Sequence, residues 1–211
     1  NYKICKVFIK NYRVYTSGFF INTSLLKFGS PNYITVWNVV QNIYMLMLMP
    51  IVGISQGSQT ILAYFGSINN KEKINQTIKI SIVYCGIYGL ISTLFILFRG
   101  NIVLSLFGLD VVIKNIALEV IKIVFITFPF TGILYTNMTL LQVTEQEVQS
   151  IILALTRQIF SLIPLVVILP LIFSNLNTKI SPTMSIFFAI PIADLLSTIV
   201  AIFLIKNKNY K

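Results

Sequence analysis

Arg157 and Asp194 are the charged residues whose positions first suggest chemistry. Arg157 lies in the string TRQIFSLIPLVVILP and Asp194 in IPIADLLS, each inside a long apolar stretch and roughly two to three helical turns from its end. A lone charge at such depth in a membrane costs at least a few kcal/mol, so each needs a partner. They sit at similar depth on consecutive apolar stretches, which makes them each other's expected partner. A structural ion pair is the plain reading. A gating or proton-linked role is the sharper one.

A second constellation is Gly53-Ile54-Ser55-Gln56-Gly57. It matches the Gly-x-Ser-x-Gly nucleophile elbow, which needs a strand-to-helix turn and a histidine partner. The chain has no histidine, so that reading fails. The same residues form Gly-x-x-x-Gly, whose small residues one turn apart let another membrane helix approach closely, so Gly53 and Gly57 are expected at a helix-packing contact. Gln56, Gln59 and Tyr64 follow in the same string, PIVGISQGSQTILAY, with Gln56 and Gln59 on one helix face. In an apolar surrounding such groups either hydrogen-bond a neighbouring helix or line a wet cavity.

The remaining candidates are weaker. Cys5 and Cys85 form neither a disulfide framework nor a Cys-x-x-Cys site, and without histidine a conventional zinc site or a histidine-based catalytic site is excluded. No enzyme activity, resident cofactor or metal is expected. Glu119 and Lys122, three apart, are expected to pair along one face. Glu145 and Glu147 suit the start of a helix, where the dipole favours acids.

The elements that position these residues are set by composition. Of 211 residues 56% are hydrophobic and 10% charged, against roughly 25% charged in soluble domains. No charge occurs between Phe28 and Asn70, and charge-free runs recur at 80–98, 123–144 and 158–178. Each is near or above the roughly 20 residues that cross a bilayer. This predicts an all-α integral membrane protein, one bundle of about six transmembrane helices at about 12–27, 33–66, 76–98, 113–142, 149–173 and 183–206. The second exceeds a bilayer core, so it should tilt, kink or project, with a bend expected between Pro50 and Gly57. Arg99–Lys114 suggests a short interfacial helix.

The net charge of +10 raises the question of nucleic acid, but the basic residues sit in small groups between apolar runs rather than along one face, so no nucleic acid is expected. They mark topology instead. With both termini cytoplasmic, eleven of the 16 Lys and Arg residues fall on the inner side, including Lys3, Lys6, Lys71, Lys73 and Lys208, and five on the outer side, Lys27, Arg99, Lys114, Lys122 and Lys179. The expected location is the cell membrane, with lipid as a partner. The chain starts without Met and its first span is short, so it is read as a piece of something longer.

The strings PIVGISQGSQTILAY, TRQIFSLIPLVVILP and IPIADLLS occur in an order and spacing that resembles the C-terminal lobe of the multidrug and toxic compound extrusion (MATE) family, over about residues 14–206. The stretch LLQVTEQE keeps Gln142 but lacks the glycine that often follows in the family. The resemblance implies one lobe of a twelve-helix transporter, with an N-terminal six-helix lobe as missing partner. It also implies export of cationic or amphipathic compounds by antiport with Na⁺ or H⁺. Gln56, Gln59, Tyr64, Arg157 and Asp194 are then the candidate cavity-lining or gating residues. The alternatives are a flippase of the wider superfamily, or a non-functional fragment or scaffold.

Overall fold

The computed structural model describes residues 18–143, 147–175 and 181–206, and among these it is helical without strands. A short helix α1 spans 18–28. It is followed by α2 (Pro31–Ser67), α3 (Lys71–Ser105), α4 (Val111–Phe125), α5 (Phe128–Val143) and α6 (Glu147–Leu155). A π-helical turn (Thr156–Leu162) then joins α6 to α7 (Ile163–Asn175), and α8 (Pro182–Lys206) closes the described chain.

Helix boundaries follow local chemistry. α2 begins with Pro31 at its first turn, where a missing N–H is harmless, and it ends before Asn69, whose positive φ of 53° turns the chain. Asn70 caps α3 by accepting from the Lys73 N–H at 3.1 Å, and Glu72 lies in the first turn, where the dipole favours it. α3 ends in a turn through Gly108, whose φ of +60° is the left-handed region that glycine enters freely. This corrects the expected interfacial helix: Arg99–Ser105 continues α3, and α4 starts three residues after Gly108.

The expected span 113–142 is two helices. Pro129 has no N–H to give the Phe125 carbonyl four residues back, so the helix breaks at Ile126 and Thr127. α4 and α5 touch each other little, so they extend one another rather than folding back as a hairpin. Two residues of α3 pack the break. A Cβ on Gly89 would lie 2.8 Å from the Pro129 Cα, and the Thr93 hydroxyl lies 3.1 Å from the Phe125 carbonyl.

Four described helices are long and apolar enough to cross a membrane: Pro31–Ser67, Lys71–Ser105, Val148–Ser174 and Pro182–Phe203. Six crossings were expected. α4 and α5 in line make a further broken path, and residues 12–17 of the expected first span lie outside the described residues. At 1.5 Å per residue the 37 residues of α2 reach roughly 55 Å, beyond a bilayer core, and helical bonding continues past Pro50 as one element. The protein is an all-α integral membrane bundle.

Faces sort by solvent. Exposed residues of α3 form an apolar surface that includes Val83, Ile87, Leu90, Leu94 and Phe98, as lipid contact requires. The core gathers Leu25, Val40, Ile51, Ile121, Phe125, Phe128 and Phe187 from α1, α2, α4, α5 and α8. α1 is tied to α8 where the Thr183 hydroxyl donates to the Phe28 carbonyl at 2.6 Å.

Candidate functional site

Arg157 and Asp194 meet, as their matched depth predicts: Arg157 Nε donates to Asp194 Oδ1 at 2.6 Å. The π-turn carries Arg157. There the Ile163 N–H bonds the Gln158 carbonyl five residues back, just ahead of Pro164, which can supply no N–H to the ordinary pattern. Asp194 lies three residues after Pro191 on α8 and is 2% exposed. A charge so enclosed persists only when paired and hydrogen-bonded, and here both of its oxygens have donors.

The second donor is Tyr44 of α2. Its hydroxyl donates to Asp194 Oδ2 at 3.4 Å and accepts from Arg157 Nη2 at 2.9 Å, closing a triangle between α2, the π-turn and α8. Aromatic packing holds the ring, which sits edge-on to Phe125 and Phe128 with centroids 5.9 and 5.4 Å away. Sequence reasoning missed Tyr44. It sits in a charge-free run among apolar neighbours, and its spacing to Arg157 carries no signal because the contact joins residues 113 apart.

A cavity of about 170 Å³ opens beside this triangle. Trp37, Leu48 and Met138 supply apolar wall, and Gln41, Arg157 and Gln158 supply polar atoms. Arg157 lines the space and Asp194 does not. Trp37, Gln41 and Tyr44 recur at helical spacing on one side of α2, but nothing in the sequence distinguishes that side from a dry core.

Gln56, Gln59 and Tyr64 lie elsewhere, exposed on the outer side of α2, with no contact to Arg157 or Asp194. Gly53 and Gly57 share that exposed side. A Cβ on either would meet nothing within 4 Å, so the expected packing contact is not made within this bundle. Close approach occurs at Gly132 instead, where a Cβ would lie 2.5 Å from Cys85 Cβ. Glu119 and Lys122 are both exposed and form no ion pair, because a membrane-edge pair in water gains little from closing. Glu145 and the Glu147 side chain lie outside the described residues. Among the described residues no group of His, Cys, Asp or Glu could hold a metal ion.

Helices of membrane-crossing length, with an internal charge pair and a cavity beside it, define a polytopic membrane protein. The MatE family model matches residues 7–168, more than half of the chain, which therefore belongs to the MatE family. Multidrug export protein MepA of Staphylococcus haemolyticus (strain JCSC1435) is 25% identical over 192 residues, 90% of this chain and 40% of that protein. A crystal structure of a MATE protein in complex with MaL6 is similar with a TM-score of 0.83 and 19% identity, covering 93% of this chain and 43% of the other. An inward-facing multidrug resistance MATE transporter is similar with a TM-score of 0.84 and 18% identity, covering 93% and 44%. The chain thus spans less than half the length of the relatives it matches, as one lobe would.

Proposed function

We propose that this chain is the C-terminal half of a cation-coupled antiporter that exports cationic or amphipathic compounds, working against a six-helix N-terminal lobe. The observation that carries this is the outward face of α2. Thr35, Asn38 and Asn42, and further along Gln56 and Thr60, are exposed on one side of a membrane-crossing helix, with the apolar Met45, Leu46 and Met49 and then Gly53 exposed between these two polar groups. Hydrocarbon cannot satisfy the two polar groups on this side, so those groups must face water or another polar surface. An adjoining lobe enclosing an aqueous cavity supplies both. Gln56, Gln59 and Tyr64 then belong to that cavity, and Gly53 and Gly57 give the second lobe room for close approach.

Coupling to Na⁺ or H⁺ in this proposal rests on the other lobe. Asp194 is the buried carboxylate among the described residues, and both of its oxygens are engaged. The triangle around it locks α2, the π-turn and α8 together so that this half moves as a body.

The test is accumulation of ethidium, a permanent cation, in efflux-deficient cells expressing this chain with and without a MATE N-terminal lobe. Lower accumulation only with both halves, abolished when the Na⁺ and H⁺ gradients are collapsed, is the expected result. Equal accumulation with both halves inserted overturns the proposal. In a background with Cys5 and Cys85 replaced by serine, Asn42→Cys and Gln56→Cys should react with a charged thiol reagent while Leu94→Cys does not.

A further inference from the structure

We propose that the cavity beside Arg157 is a binding site for a single aromatic ring that carries a hydrogen-bond acceptor, a carboxylate foremost. This goes beyond the export reading, because the site is complete within this one lobe. Its size sets the body of the ligand. About 170 Å³ is close to the roughly 150 Å³ that encloses a benzene ring, and well below the roughly 300 to 1,000 Å³ of pockets for drug-sized molecules. The wall formed by Trp37, Leu48 and Met138 suits the faces and edge of a ring.

The polarity of the head follows from an asymmetry in the ion pair. Arg157 lines the cavity with its side chain 17% exposed, whereas Asp194 is sealed behind it at 3%. The pair is neutral as a whole, but only its donor side meets the space. A guanidinium has five N–H groups, of which Asp194 takes one and Tyr44 another. The remaining three have no acceptor among the described residues. A planar carboxylate matches that fork, and a neutral carbonyl matches it less strongly. A ring bearing a cation would meet the guanidinium with nothing to compensate it, since among the described residues no other charged side chain lines the cavity. Gln158 also lines the space, and its Oε1 is buried without a partner, so a water or an acid proton at the head has an acceptor there.

Trp37 is the sole tryptophan of the chain and is part of this wall, so it reports occupancy directly. The experiment titrates the purified chain in lipid nanodiscs with 4-nitrobenzoate, with 4-nitrobenzylammonium and nitrobenzene as comparators, and follows quenching of Trp37 fluorescence. Saturable quenching by the benzoate is expected, at least about tenfold tighter than by the ammonium compound. Ala154→Leu, which fills the cavity and keeps both members of the ion pair, should reduce the quenching to a linear collisional response. If circular dichroism shows that Ala154→Leu does not fold, Gln41→Phe fills the same space from α2 and is read in the same way. Linear quenching of the unsubstituted chain overturns the proposal, since it means the space holds only water. Equal affinity for the ammonium compound overturns the assigned polarity, and saturable binding that survives in a folded filling variant places the ligand elsewhere. Binding is read on this chain alone, so its loss leaves the export proposal standing.

Discussion

The Thr93 hydroxyl on α3 lies 3.1 Å from the Phe125 carbonyl on α4 and shares its one proton with it, partly replacing the donor that Pro129 lacks. The same hydroxyl lies 2.9 Å from the Gly89 carbonyl of its own helix. A side chain of α3 thereby satisfies the backbone of the break between α4 and α5, in a place with no access for water.

Thr93→Val keeps the shape and removes that donor. The buried Phe125 carbonyl is left unsatisfied, and the chain should lose about 1–3 kcal/mol of stability. Thr93→Ser, which keeps the hydroxyl, should lose less. Unfolding in a detergent series checks both, and a valine variant as stable as the parent would refute the role.

The pair of Arg157 and Asp194 should behave as a coupled unit. Removing one partner strands a buried charge, and Asp194→Leu or Arg157→Met alone should cost roughly 3–5 kcal/mol. The double variant Arg157→Met/Asp194→Leu should recover much of that loss, because no charge is then left alone. A double-mutant cycle on thermal unfolding measures the coupling, and simple additivity of the two losses would contradict it.

Tyr44→Phe tests the third corner of the triangle. The ring keeps its contacts with Phe125 and Phe128, so the loss is confined to the hydroxyl. Hydrogen bonds to charged groups are worth about 1.5–3 kcal/mol, and the variant should lose about that much. In the Arg157→Met/Asp194→Leu background the same substitution should be nearly neutral. A similar loss in both backgrounds would show that the hydroxyl acts elsewhere.

Gly132 and Gly57 should respond in opposite directions. Gly132→Ala drives a methyl into Cys85, and α3 and α5 must separate, at about 1–3 kcal/mol. Gly57→Ala meets nothing and removes a poor helix former, so this chain alone should gain up to about 1 kcal/mol. Comparing the two unfolding midpoints decides it, and a destabilising Gly57→Ala in the isolated chain would mean a contact exists at that face.

The membrane class and the long helices were legible because both depend on local sums. Charge-free stretches longer than a bilayer core need no tertiary information to be recognised, and α2 and α8 lie within two residues of the expected spans 33–66 and 183–206, whereas α3 runs beyond the expected 76–98 at both ends. The α6–α7 path also matches 149–173, but its π-turn was hidden, because Pro164 reveals a lost donor without revealing how the backbone repairs the loss. Pro129 was visible in the same way, whereas its compensation by Thr93 depends on where α3 lies.

Arg157 and Asp194 stood out from the sequence because a charge in an apolar run demands a partner and only one candidate of opposite sign shared its depth. Gly53 and Gly57 meet no helix of this bundle, because the Gly-x-x-x-Gly spacing says that a helix can approach, not which helix does, and within the bundle Gly132 and Gly89 hold the close contacts. Composition alone determined that lipid surrounds this chain, since the hydrophobic effect acts on each stretch independently. Only the packing of α2 against α8 and the π-turn decided that Tyr44 completes the charge pair, that Asp194 is sealed and that Arg157 faces a cavity. Those facts depend on helix rotation and crossing, which are set by side chains more than a hundred residues apart, and no local pattern encodes them.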